Sequence, residues 1–138
     1  MIETTIKMTV PAEKRKEVLQ TIKAILGPIR LERGCISCNC YVDIEAENSI
    51  YFKEEWTTGE DLDTHLRSVH FKVLIGAMKL LNKEPDIRFN TITSTAGAEA
   101  IAAAQDAEDV VQNGAAERGH DADTVGERRK SALVLRGK

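Results

Sequence analysis

The chain has 138 residues, a formal net charge of −3, and acidic and basic side chains mixed along its length. This length suits one domain with a real hydrophobic core. The mild acidity gives no electrostatic reason to expect nucleic acid or an anionic membrane as a partner. No apolar run is long enough to span a bilayer, and the N-terminus has no continuous apolar segment, so we expect a cytoplasmic protein.

The first two elements follow from periodicity. Residues 2–10 alternate between apolar and polar side chains, which predicts a half-buried strand. Pro11 suits the first turn of a helix. Gly27-Pro28 should kink or loosen that helix before Gly34 ends it. Its predicted apolar face consists of Val18, Ile22, Ile25, Leu26 and Ile29.

Two strands come next, from Cys35 to Ile44 and from Ser49 to Thr57, and we predict that they form an antiparallel hairpin. On the second of these strands, alternation places Glu54 and Trp56 on one face, together with Ile50 and Phe52. If the strand from Cys35 to Ile44 is regular, Cys38 and Cys40 point to one of its faces and Cys35 points to the other. Three thiols so arranged cannot easily converge on one metal ion, and we interpret them as core or pocket-lining side chains. Oxidation-sensitive thiols are the alternative interpretation.

A helical region is predicted from Gly59 to about Asn82. Thr58 can cap its N-terminus, with Asp61 as the capping-box partner. His65 lies on the apolar face of the first turns and should therefore point inward. We expect a break near Arg67 and Ser68, because Ser68 can cap a second segment. The apolar stripe of that segment consists of Phe71, Leu74, Ile75, Met78 and Leu81.

A last strand over 86–93 completes the order β-α-β-β-α-β. This order predicts an α+β, ferredoxin-like domain with an antiparallel four-stranded sheet over residues 1–95. The helices would cover one face of the sheet, and the other face carries enough apolar and uncharged side chains to predict an oligomer. Residues 96–138 form an Ala/Gly-rich C-terminal tail that we expect to be partly helical or disordered. His120 lies in this tail and is assigned no role.

Three short motifs carry a family resemblance: Glu54-x-Trp56, the segment HLRSVHFK at 65–72, and RLERGC at 30–35. Together they resemble the antibiotic biosynthesis monooxygenase domain. The resemblance implies a ferredoxin-like domain that pairs into a dimeric α/β barrel, and therefore a homodimer. Members of this family include cofactor-free oxygenases of quinols and polyketide phenols, haem-degrading enzymes and small-molecule isomerases.

The candidate catalytic residues are His65 and Glu54. A partly buried histidine titrates near neutral pH and is a usable base or proton relay, although a hydrogen-bonded core histidine is the alternative. Glu54 would orient His65 or simply pair with it. The candidate substrate-binding residues are Trp56, Phe71, His70, Asn39 and Tyr41. Each also has a structural interpretation: Trp56 and Phe71 would be core residues, His70 would be solvated, and Asn39 and Tyr41 would lie at a subunit interface.

The resemblance favours a cofactor-independent monooxygenase that acts on a small aromatic or quinol-type substrate and dioxygen, with no metal. The alternatives are an isomerase or lyase of a small hydroxy-carbonyl metabolite, and a dimeric ligand-binding module without catalysis. Haem degradation is disfavoured, because Ile75 stands where haem-degrading relatives carry an axial histidine and His65 stands where they carry a tryptophan.

Overall fold

The structure is a computed structural model that describes the backbone of residues 1–118 and the side chains of residues 1–112. Its elements are β1 (Ile2–Thr9), a 3-10 turn (Ala12–Lys14), α1 (Arg15–Arg30), β2 (Cys35–Asp43), β3 (Ala46–Trp56), α2 (Gly59–Leu66), α3 (Val69–Met78), β4 (Asp86–Thr91) and α4 (Glu99–Arg118). The chain divides into two compact units, residues 1–92 and residues 93–138.

The first unit has the expected α+β, ferredoxin-like architecture. Its four strands are antiparallel and lie in the order β2-β3-β1-β4. Each strand turns alternate side chains toward the helices, and those side chains form the core with the apolar stripe of α1. The fully buried members include Ile6, Met8, Ile50 and Phe52 from the sheet and Val18, Ile22 and Ile29 from α1.

The connection from α1 to β2 positions part of the site. α1 continues through Pro28 to Arg30, and the turn that follows is closed by hydrogen bonds from the N–H of Glu32 to the carbonyl of Ile29 (2.9 Å) and from the N–H of Cys35 to the carbonyl of Glu32 (3.2 Å). Gly34 has φ 81°, a left-handed conformation that favours glycine. The Gly34 carbonyl also accepts the N–H of Thr57, which ties this turn to the end of β3.

A β-bulge in β2 corrects the expectation for the cysteines. Cys35 pairs with Trp56 and Ser37 pairs with Glu55, so Ile36 is an extra residue on β2. The bulge places Cys35 on the same sheet face as Cys38. Strict alternation had placed these two residues on opposite faces, and that prediction was wrong because it counted Ile36 as a regular strand residue.

The helical region divides as expected. Thr58 accepts the N–H of Asp61 (3.1 Å) at the start of α2, and Ser68 accepts the N–H of Phe71 (3.2 Å) at the start of α3. Arg67 and Ser68 separate the two helices. The chain therefore changes direction between His65 and His70, and a single continuous helix does not describe their relative positions.

The second unit contains α4. Glu99 is the first residue of this helix, and its carboxylate accepts a hydrogen bond from the N–H of Gly97 (2.7 Å). The remainder of the tail, including His120, lies at 119–138, outside the described residues. Among the described residues, no helix is long and apolar enough to cross a membrane.

Candidate functional site

His65 is the centre of the candidate site. It lies on the inner face of α2 and is 1% exposed, as the sequence predicted from helical spacing. Its ring stacks on the indole of Trp56, with 4.4 Å between centroids and 26° between planes. The edge of Phe71 approaches it at 5.3 Å between centroids. The imidazole therefore sits between two aromatic side chains, one from β3 and one from α3.

Both ring nitrogens of His65 face carboxylates. Nε2 lies 2.7 Å from Oε2 of Glu54, and Nδ1 lies 3.0 and 3.1 Å from the two carboxylate oxygens of Glu32. The short contact with Glu54 has the distance of an ion pair, but neither atom has a partner at a well-aligned hydrogen-bond angle. We therefore regard it chiefly as a charge interaction, which depends less on direction than a hydrogen bond does.

The surroundings of His65 set its protonation state. Burial of the ring acts to lower its pKa, but the interactions with the carboxyl groups of Glu54 and Glu32 outweigh burial and raise the pKa above its ordinary value of 6.5. The contacts of His65 therefore favour its protonated form, with a carboxyl group beside each ring nitrogen.

Glu54 is fully buried on the helix-facing side of β3. Its Oε1 accepts the indole N–H of Trp56 at 3.4 Å. Its neighbours in the sheet are Thr4 on β1 and Cys38 on β2. The hydroxyl of Thr4 is buried and has no hydrogen-bond partner. The site thus contains a polar atom next to Glu54 that the protein itself does not use.

Glu32 was missed as a functional candidate from the sequence. The structure places its carboxylate against His65 and also 3.2 Å from Nδ1 of His70. Glu32 and His65 are 33 positions apart, so no local spacing could have joined them. The available signal was a carboxylate in the RLERGC segment that carried the family resemblance.

His70 lies at the solvent side of this cluster, with 33% of its side chain exposed and 18% of the Glu32 side chain exposed. The sequence left open a place at the mouth of a pocket or a solvated position. The break at Ser68 brings both rings to one carboxylate.

Asn39 and Tyr41 are not brought to His65. They lie on β2 opposite Lys53 and Tyr51, on the sheet face that points away from the helices. Asn39 accepts a hydrogen bond from Arg30 (3.1 Å), and Tyr41 is 51% exposed. Of the seven residues named from the sequence, the structure collects His65, Glu54, Trp56, His70 and Phe71.

The thiols of Cys35 and Cys38 lie near the carboxylates of the site but are poor nucleophiles. Burial, with the charges of Glu54 and Glu32, raises the pKa of Cys35 to about 11. Burial and the charge of Glu54 raise the pKa of Cys38 still further. A thiol is reactive as its thiolate, so these residues remain unreactive near neutral pH. Across the part of the chain that is described, no cluster of three or more His, Cys, Asp or Glu side chains could hold a metal ion.

Comparison with known proteins adds a family to this geometry. Residues 1–76 match the family model for antibiotic biosynthesis monooxygenase. A Methanosarcina mazei Go1 crystal structure of a conserved protein is similar with 31% identity and a TM-score of 0.62, over 64% of this chain and 89% of that one. A candidate antibiotic biosynthesis monooxygenase from Deinococcus radiodurans shares the fold at 21% identity and TM-score 0.66, over 70% of this chain and 97% of that one.

A further relative is an uncharacterized protein of Synechocystis sp., which is 31% identical over 87 residues. The match spans 62% of this chain and 59% of that protein, so this chain accounts for less than two thirds of its relative's length. The family model covers more than half of the present chain and includes β1 to β3, α1, α2 and most of α3. The chain therefore belongs to the antibiotic biosynthesis monooxygenase family.

Proposed function

We propose that this protein is a cofactor-independent monooxygenase that acts on a small aromatic compound with a phenolic hydroxyl, of the quinol type. The observation that carries the proposal is the buried imidazole of His65, held between the carboxylates of Glu54 and Glu32 and against Trp56. A buried acid–base pair next to aromatic surface suits proton removal from an aromatic hydroxyl. Membership of the family supports the oxygenase chemistry.

The charge state of His65 supports a division of roles that differs from the expectation from sequence. The sequence favoured His65 as the base and Glu54 as its orienting partner. Because the raised pKa favours the protonated ring, His65 is less available to accept a proton at neutral pH. We assign the first proton transfer to Glu54 and assign to the imidazolium the stabilisation of the substrate anion. Trp56 and Phe71 supply an apolar wall for the ring.

The reaction balances without an added reductant. For a hydroquinone, the hydroxyl proton passes to Glu54, and the electron-rich anion transfers electrons to dioxygen. One oxygen atom forms a bond to a ring carbon. The O–O bond then breaks, and the second oxygen atom leaves as water with protons from the site and the ring. The net change is hydroquinone plus O₂ to hydroxyquinone plus water, in which the ring is oxidised and dioxygen is reduced.

An oxygen electrode tests this proposal directly. Wild type is compared with His65→Gln and Glu54→Gln on a menadiol-type quinol and on a panel of phenols. We expect oxygen uptake in wild type to fall by about 100-fold or more in both variants, as for loss of an acid–base group. Glu60→Gln, which removes an exposed carboxylate from α2, the helix that carries His65, should retain full activity. Equal uptake by wild type and His65→Gln would refute the assignment.

The same geometry also favours a second reaction. A carboxylate beside an imidazolium is a base beside an acid, which is what the isomerisation of a hydroxy-carbonyl compound needs. Such a reaction moves a proton between two carbon atoms and consumes no dioxygen. Turnover of a hydroxy-carbonyl substrate at an unchanged oxygen level would favour the isomerase.

We also propose that the protein is a homodimer in which two sheets pack face to face. The support lies on the sheet face away from α1, α2 and α3, which carries Tyr41, 51% exposed, and the half-buried Tyr51. A second copy would bury this face by an isologous contact. In sedimentation velocity, wild type should sediment as a dimer and Tyr41→Glu should shift toward monomer. Lys23→Glu, on the exposed face of α1, is the matched control.

A further inference from the structure

Glu32 makes a pair of contacts that no assigned role explains. Its two carboxylate oxygens lie 3.0 and 3.1 Å from Nδ1 of His65, and Oε2 also lies 3.2 Å from Nδ1 of His70. Its side chain is 18% exposed, whereas the His65 side chain is fully buried. Glu32 is therefore the group that separates the buried imidazole from the solvent side of the cluster.

The backbone holds Glu32 firmly. Its N–H donates to Ile29 and its carbonyl accepts from Cys35, so the main chain is fixed on both sides. Two residues later the positive φ of Gly34 completes the turn. These bonds fix the main-chain position from which the Glu32 carboxylate reaches His65.

The other ionisable groups near this cluster do not compete with His65 for the Glu32 carboxylate. Arg30 donates to the carbonyl of Cys38 (2.9 Å) and to Asn39. Arg33 lies 3.7 Å from Asp61 at the surface. Cys35 stays uncharged near neutral pH, because burial raises its pKa to about 11.

From these contacts we infer that Glu32 is a positioning residue: it accepts a hydrogen bond from Nδ1–H of His65, fixes the ring orientation, and so keeps Nε2 beside Oε2 of Glu54. With Glu54 alone as partner, the ring could present either nitrogen to it. With a carboxylate on each side, only the doubly protonated ring satisfies both partners. This inference rests on the proposed acid–base function of His65 and Glu54. His70 supports it from the solvent side by holding the second carboxylate oxygen.

The test uses three variants of the full chain. Glu32→Gln keeps the shape of the side chain and removes its charge, and Glu32→Asp keeps the charge. His70→Gln leaves the contact between Glu32 and His65 in place. The first readout is a ¹⁵N NMR titration of the His65 ring, which reports its pKa and the protonation of each nitrogen without any substrate.

We expect Glu32→Gln to lower the pKa of His65 and to leave a mixture of neutral ring forms above it. Glu32→Asp should restore part of the wild-type behaviour, and His70→Gln should change the titration much less. In steady-state assays kcat of Glu32→Gln should fall about tenfold or more with KM nearly unchanged, and the alkaline limb of the pH–rate profile should move to lower pH.

The inference is overturned if Glu32→Gln leaves the His65 titration and its nitrogen protonation as in wild type. It is also overturned if kcat falls equally in Glu32→Asp and Glu32→Gln while both titrate as wild type, since a purely structural role would do this. If wild type turns over no phenol or quinol, the proposed oxygenase function fails, while the NMR titration still decides the role of Glu32. If Glu32→Gln does not fold, the comparison of Glu32→Asp with wild type decides it.

Discussion

The imidazole of His65 lies 4.4 Å from the indole of Trp56, nearly parallel to it. Trp56 is the single tryptophan of the chain, so its fluorescence reports on this one ring pair. A protonated imidazole on the face of an indole is a cation–π contact, and its loss alters the electrostatic field at the fluorophore. The two rings therefore connect a measurable optical signal to the charge of the candidate catalytic group.

This contact makes the protonation of His65 visible. We expect Trp56 emission to change with a single pH midpoint above 6.5, because the pKa of His65 is raised in the folded protein. The measurement is a fluorescence titration of the folded chain. His65→Gln should show no transition in that range, and a transition of equal size in this variant would assign the signal to another group.

The stability of the protein should depend on pH through the same group. The folded pKa of His65 lies above the unfolded value, so its contribution is complete below pH 6.5 and is lost as pH rises through the folded pKa. The contribution should fall by at most about 1.4 kcal/mol per pH unit in that window. Urea unfolding of wild type and His65→Gln at several pH values isolates it. A difference between the two that grows with rising pH would contradict the sign.

His65 and Glu54 should be strongly coupled. Removing one partner of a buried ion pair leaves an uncompensated group, and each of His65→Gln and Glu54→Gln should lower the free energy of unfolding by about 3 kcal/mol. The double variant should cost much less than the sum of the two single variants. Denaturant unfolding of all four proteins measures this coupling. Additive losses would mean that the 2.7 Å contact contributes nothing to stability.

Gly34 should resist substitution. A Cβ at its positive φ would be strained, and it would collide with the side chain of Asp61, the capping partner of Thr58. We expect Gly34→Ala to lower the free energy of unfolding by about 2 kcal/mol. Gly76→Ala is the matched control, because a Cβ on that helical residue meets open space and should stabilise by about 0.4–1 kcal/mol. Equal effects would show that the turn is not constrained.

Replacement of Thr4 by an apolar residue should stabilise the protein in the absence of substrate. Its buried hydroxyl has no partner, so the nearly isosteric Thr4→Val should raise the free energy of unfolding by about 1 kcal/mol. Thr5→Val, on the opposite face of the same strand, is the control and should change stability by less. A loss of stability in Thr4→Val would indicate that the hydroxyl already has a hydrogen-bond partner in solution.

The sequence predicted those parts of the fold and site that depend on near neighbours. The caps at Thr58 and Ser68 are confirmed because each needs only a hydroxyl and an N–H three residues away. The inward position of His65 followed from helical spacing on α2. Its proximity to Glu54 followed from the adjacency of β3 and α2 along the chain.

The remaining features depend on long-range geometry. Glu32 reaches His65 across 33 positions because the turn between α1 and β2 lies against α2, where Gly34 is next to Asp61, and no periodicity encodes this. His70 approaches the same carboxylate because α3 begins afresh after Ser68. The face of Cys35 was wrong because a one-residue bulge at Ile36 interrupts the alternation.

The bulge at Ile36 affects which substitutions the chain tolerates at that position. It adds a residue to β2 beside the turn that carries Glu32, and the pairing of β2 with β3 resumes after it with the register shifted by one residue. Ile36 is 54% exposed, so sequence drift at this position leaves the interior packing undisturbed. We therefore expect substitutions at position 36 to cost little folding stability, although the residue lies close in sequence to the turn that holds the Glu32 carboxylate.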